Sequence, residues 1–249
     1  MKHFTKKENL KDCDPTEGFT LSVNKPLNWT SFDLVNKIRY HLKHLWQLKK
    51  LKVGHAGTLD PLATGLVVIG VGKGTKTMNR WMGQKKTYTG KIKLGATTES
   101  YDRESEEINH LPTAGITTED VERAVLEFTG TLMQKPPVFS ALKKDGIPMY
   151  KMARRGEQVE VNAREVQVEK FEIPDFSNPM ITFELVCSKG TYVRSLAHDL
   201  GQLLGVGGFL YELKREGIGE LLNRDSFEIE EALTALSTMS PLQNDLINK

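Results

Sequence analysis

The feature that most constrains the fold is a glycine-rich segment, GHAGTLDPLATG (54–65), that runs directly into a continuous apolar stretch, GLVVIGVG (65–72). Glycine and proline at this density break both helices and regular strands, so the first stretch is predicted to be a loop. A short apolar run bounded by glycines is typical of a buried strand. The sequence therefore predicts an irregular loop held by a core strand, which is a common setting for functional residues.

The periodicity of the remaining chain predicts a mixture of strands and helices. Strands are predicted from alternating or continuous apolar residues over 19–26, 86–95, 166–173, 180–188 and 207–219. Helices are predicted from helical spacing and capping residues over 30–45, 75–82, 117–130, 191–205 and 228–237. This order favours an α+β fold with a mixed, mainly antiparallel sheet flanked by helices.

One main domain is expected over residues 18–237, because no Pro/Gly-rich linker divides the chain into two cores. Residues 1–17 are polar and without period, so they are predicted to be a flexible tail, and 238–249 a short C-terminal tail. The segment 134–156 is basic and interrupted by Pro and Gly. It is predicted to be a projecting loop with a short helix at 149–155.

Several classes of protein are excluded by composition. No run of about 18 apolar residues is present, so a membrane-spanning helix is not expected. The N-terminus has no apolar stretch that would indicate a secretory signal. Cys13 and Cys187 lie far apart and belong to no metal-spaced cluster, so neither a disulfide framework nor a zinc site is expected. A cytoplasmic protein is the resulting expectation.

Charge is segregated along the chain although the net charge is only +2. Between Leu34 and Thr98 there are thirteen Lys and Arg residues and a single acid, Asp60. From Glu99 to Glu122 the balance inverts, with eight acids and one base. Such segregation can create a positive face that binds phosphate backbones. The alternative interpretation is a set of solvated lysine faces.

Asp60 is the most informative residue, because it is the only acid in this basic window and lies in the glycine-rich loop. A carboxylate in a positive field is favoured in its ionised form. A polyanion-binding cleft would not tolerate it without a chemical role, such as that of a nucleophile or base. The alternative is a turn aspartate that accepts hydrogen bonds from backbone N–H groups.

Five segments, in order, resemble the motifs of the TruB-type tRNA pseudouridine-55 synthases. The segment KVGHAGTLDPLATGL (52–66) resembles the catalytic motif of that family. The other four are KPLNWTS (25–31), KTYTGKIKLGATTESYD (86–102), QKPPVFSALKKDGIPMYKMARRG (134–156) and SKGTYVRSLAHDLGQLLG (188–205). The resemblance implies the pseudouridine synthase fold, with 134–156 as a thumb that clasps RNA. It also implies an isomerase that converts uridine 55 in the T loop of tRNA to pseudouridine.

The resemblance assigns catalytic roles to three residues. Asp60 corresponds to the family's nucleophile, which acts at C1′ of the ribose or at C6 of the base; the sequence leaves both alternatives open. Tyr88 corresponds to the stacking partner of the flipped base, and Arg194 to the arginine that pairs with the catalytic carboxylate. The implied reaction requires no cofactor and no metal.

Further residues are implied to bind the substrate. His55 corresponds to the residue that helps to extrude the base, and Leu213 to an apolar wall of the pocket. Lys25 and Pro26 are implied to support the floor of the site. The thumb residues Tyr150, Lys143 and Arg154 are implied to contact phosphate or sugar.

The sequence departs from the family pattern at several points. Asn28 occupies a position where the family usually has Gly, the basic stretch HLKHLWQLKKLK (41–52) lengthens the chain before Asp60, and LKREGIGELL (213–222) matches poorly. No room is expected after Leu236 for the C-terminal RNA-binding PUA domain that many members carry.

The resemblance implies a monomer that binds the T arm of tRNA and needs no membrane and no obligate protein partner. Two other interpretations are a T-arm-binding RNA chaperone and a guide-RNA-dependent relative. Chaperone activity could also be a secondary role of the enzyme. Intact Asp60, Tyr88 and Arg194 favour the enzyme, and the missing PUA domain argues against the guide-RNA-dependent form.

Overall fold

The computed structural model describes residues 1–12, 17–140, 142–144, 146–153, 155–157 and 161–239. In chain order, the strands are β1 (His3–Phe4), β2 (Phe19–Lys25), β3 (Val53–Ala56), β4 (Ala63–Val71), β5 (Lys86–Leu94), β6 (Gly130–Gln134), β7 (Lys143–Lys144), β8 (Ile147–Pro148), β9 (Arg164–Ser177), β10 (Met180–Cys187), β11 (Gly208–Ile218) and β12 (Leu221–Leu222). The α-helices are α1 (Ser31–Leu45), α2 (Met78–Gly83), α3 (Thr118–Leu126), α4 (Met149–Ala153), α5 (Val193–Leu203) and α6 (Ile229–Ser237). Short 3₁₀ helices cover Leu10–Asp12, Gly72–Thr77 and Asn223–Asp225.

The chain forms two compact units. Unit 1 comprises residues 1–86 and 214–249, and unit 2 comprises residues 87–213. The chain passes from one unit to the other within β5 and again within β11. A crossing inside a strand carries no linker composition, which is why the sequence alone indicated a single main domain.

The sheet of unit 1 is built on the apolar strand β4, as the sequence predicted. Strand β2 is antiparallel to β4, from Phe19 opposite Val71 to Lys25 opposite Gly65. Strand β1 adds to β2 in parallel. Strand β3 and strand β11 are both neighbours of β4. The mixed, mainly antiparallel pairing agrees with the predicted fold class.

Two parts of unit 1 differ from the sequence-based expectation. Residues 54–56 were expected to be loop, but Gly54, His55 and Ala56 pair with β4, so the irregular loop is only 57–62. Ladder hydrogen bonds to a core strand outweigh the low strand propensity of Gly. The first residues also differ from the expected flexible tail, because β1 joins the sheet and Phe4 and Leu10 are buried.

In unit 2 the strand order is β11-β5-β10-β9-β6. The long antiparallel pair β9 and β10 turns at Asn178–Pro179, so β9 continues past the predicted end of its strand at residue 173. Helix α3 begins with the predicted Thr117 cap, which forms a capping box with Asp120. The helix ends at Leu126, and Gly130 starts β6 instead of ending the helix.

The segment 134–156 contains the small hairpin β7–β8 followed by the five-residue helix α4. The predicted short helix at 149–155 is therefore present over its first five residues. No helix in the described ranges is long and apolar enough to span a membrane.

Candidate active site

Asp60 lies in the loop between β3 and β4 of unit 1 and is partly buried. Its carbonyl oxygen accepts a hydrogen bond from Ala63 N at 3.1 Å, which forms the turn that leads into β4. The next carbonyl, that of Pro61, accepts from Asn28 N at 2.9 Å. The backbone on the C-terminal side of the carboxylate is therefore fixed by two main-chain bonds.

Ser31 fixes the backbone on the N-terminal side. Its hydroxyl accepts from Leu59 N at 2.9 Å and donates to Leu59 O at 3.3 Å. Both residues are buried. Ser31 is the first residue of α1, whose capping box between Thr30 and Asp33 fixes the start of the helix. The loop that carries Asp60 is thus anchored to a helix end that is itself stabilised locally.

Lys25 lies beneath this loop and is 0 % exposed. Its Nζ donates to Trp29 O at 2.5 Å, to Pro26 O at 3.0 Å and to Pro61 O at 3.4 Å. The pKa of Lys25 is lowered to about 8, mainly by burial. The charge of Asp60 opposes this lowering, and the charge of Arg215 contributes to it. Pro26 supplies one of the carbonyl acceptors, and the support of the site floor by Lys25 and Pro26 stays a prediction.

The departure at Asn28 has a simple explanation. Asn28 has a φ of 63°, in the left-handed region that Gly most readily adopts. Asn is among the residues that tolerate this conformation best. The Asn side chain therefore preserves the turn after Pro26 that a Gly would form.

Arg215 was not singled out as a site residue from the sequence. It lies on β11, is 1 % exposed, and its guanidinium donates to Leu66 O at 2.7 Å and to Gly57 O at 3.2 Å. Its partners in the described part of the chain are these two carbonyls, and no carboxylate there forms an ion pair with it. Arg215 therefore places a buried positive charge at the start of the Asp60 loop and at the beginning of β4.

His55 lies on β3 opposite Ile69 and is partly buried. Burial lowers its pKa below the ordinary value, a backbone hydrogen bond involving Gly57 opposes this effect, and the charge of Arg215 adds to the lowering. The imidazole is therefore expected to be neutral at pH 7.

In unit 2, Arg194 is buried in the first turn of α5 and is held by three groups. Its guanidinium donates to Ser100 O at 3.1 Å and to Phe139 O at 3.0 Å, and its Nε lies 3.6 Å from a carboxylate oxygen of Asp102. Asp102 accepts in turn from the Ser100 hydroxyl at 2.6 Å and from Glu104 N at 2.9 Å. The predicted pairing of Arg194 with Asp60 stays a prediction.

The loop that carries Asp102 contains a second unusual conformation. Tyr101 has a φ of 63°, which is rare for an aromatic residue, and its ring stacks on His198 with centroids 3.8 Å apart. Its carbonyl accepts from Leu210 N at 2.9 Å. The backbone of this loop is therefore held between α5 and β11.

The remaining predicted site residues are placed as follows. Tyr88 lies on β5 and is 8 % exposed, and Leu213 is partly exposed on β11. Lys143 belongs to β7 and Tyr150 to α4, while their side chains and the whole of Arg154 lie outside the described residues. The roles predicted for these residues remain predictions.

Comparison with solved structures shows the fold. A structure from a Cbf5–Nop10–Gar1 complex matches with a TM-score of 0.65 at 23 % identity, over 93 % of this chain and 58 % of that chain. An H/ACA ribonucleoprotein bound to a substrate RNA containing 2′-deoxyuridine matches with a TM-score of 0.63 at 21 % identity, over 88 % of this chain. This chain spans only 53 % of that second structure's chain. The likeness establishes a shared α+β fold.

Sequence comparison is more specific. Residues 43–193 match the TruB family pseudouridylate synthase (N terminal domain). The tRNA pseudouridine synthase B of Flavobacterium johnsoniae is 47 % identical over 86 % of this chain and 93 % of its own length. The protein of the same name from Parabacteroides distasonis is 48 % identical over 82 % and 87 %. The chain belongs to the TruB family of pseudouridylate synthases. It is therefore an isomerase of the pseudouridine synthase type.

Proposed function

We propose that this enzyme converts uridine 55 in the T loop of tRNA to pseudouridine, with Asp60 as the nucleophile. The observation that carries the proposal is the Asp60 loop: a carboxylate fixed on both sides by backbone anchors, above the buried cations Lys25 and Arg215. The similarity of the chain to two proteins named tRNA pseudouridine synthase B supports tRNA as the substrate.

The reaction breaks the C1′–N1 bond of the target nucleotide and forms a C1′–C5 bond. The hydrogen on C5 leaves as a proton, and N1 gains one, so atoms and charge balance without a cofactor or metal. Asp60 is proposed to add transiently, at C1′ or at C6. A rigid loop suits this role, because a displacement of about 1 Å can slow a reaction by about a hundredfold.

The target base must leave its stack to reach the carboxylate. Tyr88 is proposed to stack on the flipped base, His55 to help extrude it, and Leu213 to form an apolar wall. The neutral imidazole favoured by burial suits stacking and hydrogen bonding more than phosphate binding. Arg194 is proposed to orient the Asp60 carboxylate, and Lys143, Tyr150 and Arg154 to contact the RNA backbone.

We further propose that the enzyme acts as a monomer in the cytoplasm, without a partner protein or guide RNA. The purified chain should therefore be active on unmodified tRNA alone. A requirement for a second protein or for a guide RNA would contradict this part of the proposal.

The test is release of tritium from tRNA transcripts labelled at C5 of uridine. We expect wild type to release tritium from a transcript with U55 and not from a matched transcript carrying cytidine at position 55. We expect Asp60→Asn to bind tRNA with unchanged affinity and to release none.

Each other result rejects a defined part of the proposal. An unchanged rate in Asp60→Asn would show that the nucleophile is wrong. Equal release from both transcripts would show that position 55 is wrong. Tight tRNA binding without release by wild type would instead favour the chaperone function.

A further inference from the structure

The basic stretch before the Asp60 loop is anchored by two buried apolar side chains. Trp46 and Leu48 are both buried, and Leu48 N donates to Lys43 O at 2.9 Å. Gln47, between them, has a φ of 53°. The residues that follow, Lys49 and Lys50, are exposed. The insertion is therefore a tethered loop that presents lysines to solvent, and it does not simply extend α1, which ends at Leu45.

Strand pairing brings further lysines to the same place. Val53 pairs with Val71, and Gly72 N donates to Lys52 O at 2.8 Å, so Lys52 lies beside the start of the 3₁₀ helix Gly72–Thr77. Lys73 and Lys76 are three residues apart in that helix and therefore project from the same side of it. All three lysines are exposed. We define Lys49, Lys50, Lys52, Lys73 and Lys76 as the basic surface.

The positive charge of the basic surface is not neutralised by the described residues. None of its five lysines forms an ion pair with a residue in the described ranges. Glu17 is a described acid near this surface, because the adjacent Gly18 approaches the backbone of Lys73. Glu17 is exposed and forms no ion pair with a described residue. Because like charges held close together repel, a polyanion that binds the basic surface would relieve the repulsion among the lysines and would be stabilised there.

We propose that the basic surface binds phosphates of the RNA stem that flanks the target loop. The proposal rests on the proposed function, and it is supported by the position of the surface relative to the Asp60 loop. Lys52 directly precedes strand β3 (Val53–Ala56), which leads into the Asp60 loop, and four residues span about 13 Å in a strand. The phosphates of a nucleic-acid duplex are spaced more closely than about 13 Å, which is the length of β3. One RNA substrate can therefore contact the basic surface and the Asp60 loop together.

The test compares two variants with the same loss of charge. In the first, Lys49, Lys52 and Lys73 are changed to Gln. In the control, Lys6, Lys7 and Lys170 are changed to Gln. Lys6 and Lys7 are exposed and Lys170 is partly exposed, and all three already pair with carboxylates. Binding of a tRNA transcript and of its excised T-arm stem–loop is measured between 50 and 300 mM salt. Tritium release at saturating tRNA is measured in parallel.

We expect the first variant to bind both RNAs about tenfold more weakly at 0.1 M salt, at two- to threefold for each lysine lost. The slope of log K against log salt should become shallower by about 2 to 3. The rate at saturating tRNA should be unchanged, and a variant with Arg at the same three positions should recover wild-type affinity.

Equal weakening in both variants, or an unchanged salt dependence in the first, would overturn the proposal. If wild type releases no tritium but the first variant still loses RNA affinity selectively, the proposed function fails and the basic surface stands. If wild type is active and the two variants bind alike, the basic surface fails and the proposed function stands.

Discussion

Lys25 should make the stability of the protein depend on pH in the alkaline range. Burial lowers the pKa of Lys25 to about 8 in the folded protein, whereas its ordinary value is 10.5. Between these values the unfolded chain holds a proton that the folded protein has released. Because the unfolded state then binds more protons, the free energy of unfolding rises as the pH increases through this range.

The size of the effect follows from the two pKa values. Their difference corresponds to about 3 kcal/mol when it is fully developed, above pH 10.5. Between pH 7 and pH 10 the gain should be about 2.5 kcal/mol. Below pH 8 the lysine is charged in both states, and its three carbonyl partners compensate part of the cost of burying it.

The assay is urea unfolding at pH 7, 8, 9 and 10 for wild type and Lys25→Met. The wild type should gain about 2.5 kcal/mol over the variant between pH 7 and pH 10, because Met cannot titrate. Lys37→Met removes an exposed lysine of α1 and serves as the control, which should run parallel to wild type. Titration of the Lys25 Nζ by NMR measures the same pKa directly.

The reasoning fails if Lys25→Met and wild type depend on pH in parallel. It also fails if the NMR titration of Lys25 has its midpoint near 10.5. Either result would mean that water or a compensating charge reaches the ammonium group.

Three further predictions concern the surroundings of Asp60. Arg215→Gln should lower the free energy of unfolding by about 2–4 kcal/mol, because the hydrogen bonds to the carbonyls of the loop and of β4 are both lost. The same variant should reduce kcat more than it raises KM, and an unchanged kcat would contradict a positioning role. Ser31→Ala should lower the free energy of unfolding by about 2 kcal/mol and the Tm by about 4–8 °C, since both main-chain groups of Leu59 lose their partner. The control Ser237→Ala, at the exposed end of α6, should have little effect on either quantity. The ¹⁵N shifts of His55 should show a neutral ring at pH 7, and a charged ring there would contradict the effect of burial.

Local sequence signals predicted the elements that depend on local interactions. Helix α1 begins at Ser31 behind the Thr30 cap, and α6 covers almost the predicted range, because capping and apolar spacing are properties of neighbouring residues. Strand β1 could not be predicted in this way. Two residues gain strand structure only when β2 is present beside them, and nothing in their own periodicity indicates it.

The same distinction applies to the candidate site. Asp60 could be identified because a single acid in a basic window is visible in the sequence. Arg215 could not be identified, because its partners are main-chain carbonyls 149 and 158 residues away. Every residue type has such a carbonyl, so no sequence pattern indicates these contacts. Asp102 lies in an acidic stretch that reads as solvated, and only the fold shows that it is buried against Arg194.

The glycines that make the Asp60 segment conspicuous have two separate physical causes, and both involve Arg215. Gly57 has a φ of 85° and turns the chain out of β3, where its carbonyl accepts from the Arg215 side chain. Gly65 has a φ of 108°, and a Cβ there would lie 2.3 Å from the Arg215 carbonyl oxygen, so only Gly allows β11 to approach. One buried arginine therefore holds the chain on both sides of Asp60, by its side chain at Gly57, where the loop begins, and by its backbone at Gly65, within β4. Any shift of β11 at this position must displace the segment that carries Asp60, which is why a residue remote in sequence is expected to control the position of the carboxylate.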